Sequence, residues 1–299
     1  MIHYDPHKWL DHFFDLRGSL VKEIGLRVLV CVVWAAAVVS FHKFVRPVDI
    51  PSILHSLVGV ALGLLLVFRT NASYDRYWEG RKLWGGIVNE TRNLIRASAV
   101  HLHEEPRLLQ KLARWTALFP WATMNCLRDE FDLGSLGAEL TAEEVSGIRA
   151  SQHQALHVSA RMSELLAEMR SRGLVSDIVY TSLDQNVQLL VDYLGGCERI
   201  RKTPLPFAYI VHLRRALVIY CFTLPFALVD TFGWMSLLDV LLISYTFFGI
   251  EEIGVEIEGP FGDDANDLPM RDICETIHKN LYALAGMRRQ EREAMPEGL

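Results

Sequence analysis

The chain has 299 residues, 51% of them hydrophobic and 22% charged, and its formal net charge at pH 7 is −6. That charge, together with the lack of any strongly basic stretch in the sequence, argues against a nucleic-acid partner, because binding to phosphates requires clustered Lys and Arg. The mean hydropathy of +0.17 favours a membrane protein over a soluble one. Five cysteines without a Cys-x-x-Cys spacing argue against a disulfide framework or a zinc ribbon.

Residues 1–25 are interpreted as an N-terminal amphipathic segment. Aromatic, acidic and basic residues alternate along it, as at Trp9, Asp11 and Arg17, and the sequence has no apolar run of the signal-peptide type there. We therefore expect this segment to lie on a membrane surface or against a partner.

Residues 26–70 are predicted to form a first transmembrane hairpin. The apolar runs at 26–44 and 52–68 each come close to the ~20 residues that a helix needs to cross the hydrocarbon core. A short turn at 46–51 separates them. The second apolar helix is expected to end where the polar and aromatic block at 69–81 begins, and the charges of this block can pair among themselves.

The second apolar run carries a row of large side chains. Val60, Leu64 and Phe68 are four residues apart and so lie in one row on a helix. Gly59 and Gly63 have the same spacing and are expected to let another backbone come close. From the spacing alone, the row fits either the lining of a narrow apolar pore or an ordinary surface for lipid or helix packing.

Residues 71–214 are predicted to be a cytosolic helical region, because apolar residues recur there at helical spacing within a polar sequence. The clearest break is at 134–142. Within it, Thr141 is expected to cap a helix together with Glu144.

Residues 215–253 are predicted to form a second transmembrane hairpin, with apolar runs at 216–232 and 234–250 and a turn at 230–233. Basic residues concentrate near the N-terminal segment and at both ends of the middle region. By contrast, the connection between the first two apolar runs, residues 43–51, has only two basic residues, Lys43 and Arg46. By the positive-inside rule, both termini are expected in the cytoplasm of a multi-pass protein of the cell's inner (plasma) membrane.

Residues 254–299 are interpreted as an acidic loop followed by a C-terminal cytosolic helix or tail. Seven carboxylates fall between 251 and 267, with no basic residue among them. Such a group can bind a hard cation such as Ca²⁺, or it can be solvated or paired with the basic flanks. A zinc site at His153 and His157 is a weaker hypothesis, since the Glu of the zincin motif is missing between them.

Several stretches of the sequence, in one order along nearly the whole chain, resemble the bestrophin family and most closely its bacterial members. The matching stretches are residues 13–19, 68–81, 83–85, 195–199, 203–209, 224–228, 244–247 and 260–269.

The resemblance implies an all-α membrane protein with four transmembrane helices per subunit and a large helical cytosolic region, assembled as a homopentamer around a central pore. The pore neck of the family is three apolar rings from the second membrane helix, which match Val60, Leu64 and Phe68 here. Its lower constriction, the cytosolic aperture, matches Ile178. The top ring is the smaller Val60, where relatives usually have Ile.

The family's animal members carry a calcium clasp after the fourth membrane helix. Asp264 and Asp267 match its carboxylates, Gly259 replaces an Asn ligand, and Glu256 stands where its side-chain oxygen could substitute for that ligand. The sequence therefore predicts at most a degenerate calcium clasp, and no cofactor is required.

The resemblance implies a channel rather than an enzyme, with small monovalent ions, the lipid bilayer and other copies of the chain as its partners. As in bacterial relatives, selectivity is expected to lean toward cations such as sodium. The alternatives are an anion (chloride) channel, as in animal relatives, and a non-conducting membrane scaffold or sensor.

Overall fold

A computed structural model describes residues 20–286. Within that range all regular secondary structure is helical, as predicted. Short 3₁₀ segments occupy Gly134–Glu139 and Gly233–Met235. The α-helices are α1 (Val21–Phe44), α2 (Ser52–His101), α3 (Pro106–Arg128), α4 (Ala142–Ala150), α5 (Gln154–Ser171), α6 (Asp177–Lys202), α7 (Phe207–Phe232), α8 (Ser236–Glu256) and α9 (Met270–Leu284).

The chain forms two compact units. The described part of the first unit is residues 20–78, 203–260 and 264–267, and that of the second is residues 79–202, 261–263 and 268–286. Most of the predicted N-terminal segment and the end of the predicted C-terminal tail lie outside the described residues.

The first unit is built around one apolar core to which α1, α2, α7 and α8 all contribute. Buried apolar side chains recur every three or four residues on α1 and α7, so each helix turns one stripe toward the core. The core residues are Ile24, Val28, Cys31, Ala35, Leu62, Leu66, Leu213, Leu217, Tyr220, Cys221, Leu224, Val240 and Phe248.

Three helical stretches in the described chain are long and apolar enough to cross a membrane: Val21–Phe44, Ser52–His101 and Phe207–Glu256. The third contains both α7 and α8. Gly233 separates these helices with φ +55°, a left-handed value that glycine adopts without a Cβ clash. All four predicted apolar runs are therefore helical.

The helix α2 does not end where the polar block begins. It continues to His101, and the expected end near residue 68 is therefore wrong. No proline occurs between Ser52 and His101, and a change from apolar to polar side chains removes no backbone hydrogen bond. Polarity marks where the environment of a helix changes, whereas a helix break requires Pro, Gly or capping chemistry.

The second unit surrounds α3, which packs against α5, α6 and α9 and is buried along most of its length. Before α4 the predicted cap is confirmed. Thr141 Oγ1 accepts a hydrogen bond from the Glu144 N–H at 3.2 Å, and the Glu144 carboxylate accepts one from the Thr141 N–H at 2.9 Å.

Candidate functional site: an exposed apolar row beside a buried charge cluster

The row predicted to line a pore lies on an open face of α2. Val60 is 74% exposed, Leu64 54% and Phe68 56%. These side chains project from the same side of the helix and leave most of their apolar surface uncovered within the subunit. A row of this kind fits a surface that lipid or other copies of the chain cover.

The opposite face of the same helix segment is packed. His55, Leu62, Leu66 and Arg69 are all at most 9% exposed, and the two leucines belong to the core of the first unit. The ring of His55 stacks on Tyr220 with centroids 4.1 Å apart. The packed stripe fixes the rotation of α2 about its axis and so directs the exposed row away from its own subunit.

The two glycines of this segment have different surroundings. A Cβ at position 59 would lie 2.7 Å from the Tyr220 hydroxyl oxygen, so Gly59 permits the close approach of a side chain rather than of another backbone. A Cβ at position 63 would meet nothing within 4 Å. Among residues 20–286, the expected approach of a second backbone is therefore not seen at either glycine.

Arg69 follows the last residue of the row and is buried in a charge cluster of the first unit. It is 1% exposed, although it is a guanidinium at the end of a long apolar run. Its Nη1 donates to the backbone oxygen of Glu251 at 3.2 Å, and its Nη2 lies 3.5 Å from Glu258 Oε2 and 3.9 Å from Glu251 Oε1. Such contacts compensate part of the cost of removing the charge from water.

Further arginines reach this cluster from α1 and α7, and they contact Glu251 and the neighbouring Glu252. Glu251 accepts from Arg214 Nε at 2.8 Å, and Glu252 accepts from Arg27 Nη1 at 2.6 Å. Three of the acidic residues from the sequence cluster are thus paired with the basic flanks, in agreement with the structural alternative to a cation site.

Glu258 extends this cluster to the backbone. Its Oε1 accepts from the Leu205 N–H at 3.1 Å, and its backbone oxygen accepts from Arg76 Nε at 3.1 Å. Arg76 also donates to the backbone oxygen of Thr203 at 2.5 Å. Arg69 and Arg76 of the polar block therefore pair with distant parts of the chain, whereas the sequence suggested pairing within the block.

Ile178 is the second residue of α6 and is 83% exposed. The preceding Asp177 accepts a hydrogen bond from Arg170 Nε at 2.7 Å, which ties the start of α6 to the end of α5. A large apolar side chain held outward at a fixed helix start can pack against other copies of itself.

Of the three residues predicted for the calcium clasp, Asp264 and Asp267 are hydrogen-bonded to each other, and Glu256 is hydrogen-bonded to Asn266. Asp267 is 4% exposed, and its Oδ2 accepts the Asp264 N–H at 2.8 Å. Glu256 Oε2 accepts from Asn266 Nδ2 at 3.2 Å. In the described chain, no group of three His, Cys, Asp or Glu side chains is arranged to hold a metal ion.

The two histidines of the zinc alternative have separate structural roles. His153 caps α5, where its Nδ1 accepts the Leu156 N–H at 3.3 Å, and its Nε2 lies 2.8 Å from Glu198 Oε1. His157 lies beside Trp115, with ring centroids 6.4 Å apart. Sequence spacing alone could not distinguish a helix cap from a metal ligand.

A family model described as Bacterial/Fungal Bestrophin protein matches residues 1–283. The chain belongs to the bestrophin family. Its curated relatives include the voltage-dependent anion channel-forming protein alr2987 of Nostoc sp., 40% identical over 284 residues that cover 93% of this chain and 92% of the relative. The protein YneE of Escherichia coli K12, with the same description, is 35% identical over 286 residues, or 95% of this chain and 94% of the relative.

The fold of this chain matches those of solved bestrophin structures. A bacterial bestrophin homologue from Klebsiella pneumoniae superposes with a TM-score of 0.83 at 32% identity, over 89% of this chain and all of that one. Family membership and the names of both relatives point to an ion channel rather than an enzyme.

Proposed function

We propose that this bestrophin is a homopentameric ion channel whose neck is lined by Val60, Leu64 and Phe68. The observation that carries the proposal is the exposed row itself, which is apolar and directed away from the subunit's own core. At a rise of 1.5 Å per residue, the row extends roughly 12 Å along the helix. Five copies around an axis would form a narrow apolar throat.

An apolar throat controls ions through water. Rings without hydrogen-bonding groups favour the loss of water from a narrow passage, and an ion cannot cross a dry segment without losing its hydration. The smaller Val60 would make the first ring the widest of the three, so Leu64 and Phe68 carry most of the barrier. Ile178 is proposed as a second constriction, the cytosolic aperture.

The membrane topology proposed with this function has four crossings, by α1, the start of α2, α7 and α8. The short connection at residues 45–51 and the glycine turn at Gly233 fit two helical hairpins. With the basic residues at the other helix ends, the termini and residues 71–214 lie in the cytoplasm and the subunits lie in the inner membrane.

Small monovalent ions are the proposed permeant species. Family resemblance led us to expect sodium-leaning selectivity, whereas the relatives are named as anion channel-forming proteins, which supports the chloride alternative. The faces of phenylalanine rings are electronegative and their edges electropositive, so the tilt of Phe68 in the ring decides which sign is favoured. A reversal potential under a salt gradient distinguishes the two with one measurement.

Calcium is not required in this proposal, because the acidic loop is closed by its own side chains. Asp267 already accepts a backbone N–H, and Glu256 already accepts from Asn266. Adding calcium or a chelator to the bath is expected to leave the current unchanged. An increase with calcium that Asp264→Asn abolishes would show a functional clasp instead.

The channel itself is tested by planar-bilayer recording of the purified protein. Leu64→Ala together with Phe68→Ala removes two apolar rings and is expected to raise the conductance severalfold. Tyr245→Ala, at another exposed position of the first unit, is the control and is expected to conduct like the unchanged protein. Silence of both the unchanged and the widened protein would favour the non-conducting scaffold.

A further inference from the structure

An open cavity of about 410 Å³ lies at the surface of the second unit, and the channel proposal makes no use of it. One wall comes from α2 and the other from α9. The lining residues are Arg92, Asn93, Arg96, Asn280, Ala283 and Leu284. The cavity thus combines two guanidinium groups, two carboxamides and a small apolar wall.

The two arginines bring positive charge to this cavity. Arg92 and Arg96 are four residues apart, so they are neighbours on one face of α2. Neither forms a hydrogen bond, ion pair or ring contact with any residue between 20 and 286. By contrast, Arg161 and Arg172 of the same unit each pair with a carboxylate.

Placing two like charges side by side is unfavourable for a helix. Helix formation therefore does not explain why both positions carry arginine, and neither does pairing within the described chain. An anion between the two guanidinium groups would relieve the repulsion. The cavity leaves room for one of small-molecule size, since ligand pockets typically measure about 300–1,000 Å³.

We propose that this cavity binds a small phosphate monoester, held by Arg92 and Arg96. A phosphate monoester carries a charge of about −1.5 to −2 at pH 7, which balances two guanidinium groups, whereas a carboxylate or sulfate ester balances only one. The planar fork of arginine pairs with phosphate oxygens in a bidentate manner. Asn93 and Asn280 supply further amide donors.

The apolar wall of the cavity indicates what kind of organic group the phosphate ester carries. Ala283 and Leu284 lie in the exposed part of the last turn of α9, and they offer a surface for the organic group that esterifies the phosphate. Inorganic phosphate would leave this surface uncovered. The site therefore favours an ester with a compact apolar or aromatic group over the free ion.

The test is isothermal titration calorimetry of the full-length protein in detergent, with phenyl phosphate as the probe. Saturable binding is expected, and phenyl sulfate, which has nearly the same shape but a single negative charge, is expected to bind at least tenfold more weakly. Inorganic phosphate is expected to fall between them or below. The measurement requires no current, so its result is independent of whether the protein conducts.

Substitutions at Arg92 test whether phenyl phosphate binds in this cavity. Arg92→Gln is expected to weaken phenyl phosphate binding at least tenfold, and Arg92→Lys, which keeps the charge but not the fork, to weaken it less. Arg107→Gln removes the same charge at another exposed position of the unit and is the matched control, expected to bind normally. Circular dichroism checks that each variant keeps its helical content.

The phosphate could come from a soluble ester or from a lipid headgroup, and a competition experiment distinguishes them. Phenyl phosphate is titrated into protein in nanodiscs of phosphatidylcholine alone or with phosphatidate. Weaker binding with phosphatidate identifies a headgroup as the occupant, and unchanged binding identifies a soluble ester. The proposal is overturned if phenyl phosphate shows no saturable binding at millimolar concentration, or if Arg92→Gln binds it as well as the unchanged protein.

Discussion

The two faces of α2 between residues 55 and 69 are both rich in apolar side chains, yet their surroundings are opposite. Leu66 is 1% exposed, whereas Leu64, two residues earlier, is 54% exposed. When one subunit folds, the apolar side chains of the packed face are removed from water, which stabilises the fold. The apolar side chains of the open face are not buried by this step. An apolar face left open on a helix of membrane length is the surface that lipid or assembly can still cover.

The largest expected effect is on the buried charge at the end of the packed face. Arg69→Met leaves Glu251 and Glu258 in place without their buried partner, and breaking such a pair costs about 3–5 kcal/mol. We expect a large fall in apparent melting temperature, measured by intrinsic fluorescence in detergent. Adding Glu258→Gln to this variant should recover part of the loss, because it removes one uncompensated carboxylate.

The control for this prediction is Arg214→Met. Arg214 also pairs with Glu251, at 2.8 Å, but its side chain is 53% exposed. Because Arg214 is exposed, water can enter the space that its side chain leaves and solvate Glu251. The fall in melting temperature should therefore be much smaller than for Arg69→Met. Equal losses for the two variants would show that burial is not what makes the Arg69 contacts important.

The next effect compares one substitution on the two faces. Leu66→Ala removes side-chain volume from the core and is expected to lower the free energy of unfolding by about 2–5 kcal/mol. Leu64→Ala removes the same atoms from the open face and is expected to cost less than about 1 kcal/mol while raising the conductance. Thermal unfolding and single-channel recording on both variants measure the two quantities; a reversed order of stability losses would contradict the assignment of the faces.

A smaller effect is expected at the two glycines. Gly59→Ala places a methyl group against the Tyr220 hydroxyl, and because that ring is stacked on His55 it has little room to move. The expected cost is about 1–3 kcal/mol of overpacking. Gly63→Ala meets open space and should instead stabilise the helix by about 0.5–1 kcal/mol. Melting temperatures that shift in the same direction for both would contradict this.

The smallest effect concerns an ion pair left near solvent in the second unit. Burial acts to raise the pKa of Glu198, but hydrogen bonds and charges from His153 and Lys202 outweigh it and lower the pKa below its ordinary 4.5. A carboxyl whose pKa is lower in the folded state stabilises the fold above about pH 4.5, and that contribution is lost as the pH falls through the lowered pKa.

At neutral pH the contribution of Glu198 should be below about 1 kcal/mol, because water screens an accessible pair. Glu198→Gln should therefore lower the melting temperature slightly at pH 7 and make no difference at a pH well below 4.5. Melting curves of both proteins over this pH range measure it. A loss at pH 7 as large as that of Arg69→Met would remove the distinction between buried and accessible charges.

Local signals in the sequence carried much of the fold. Hydrophobic runs located the helices of the first unit, and the Thr141–Glu144 pair identified the start of α4, because both effects act over a few residues. The predicted end of α2 near residue 68 is wrong, because a change from apolar to polar side chains does not stop a helix. The pairing of Arg69 with Glu251 was not predictable from spacing, since it joins residues 182 positions apart.

The sequence by itself determined that this is a helical bestrophin with apolar helices of membrane length. Hydrophobic periodicity and the order of the motifs can be read from the chain without knowing how its helices pack. Only the tertiary structure decided which face of α2 is packed and which is open. Both faces are apolar, and the difference between them arises from neighbours contributed by α1, α7 and α8. The exposure of the row from Val60 to Phe68 therefore depends on how α1, α7 and α8 pack against α2, and not on the sequence of α2 alone.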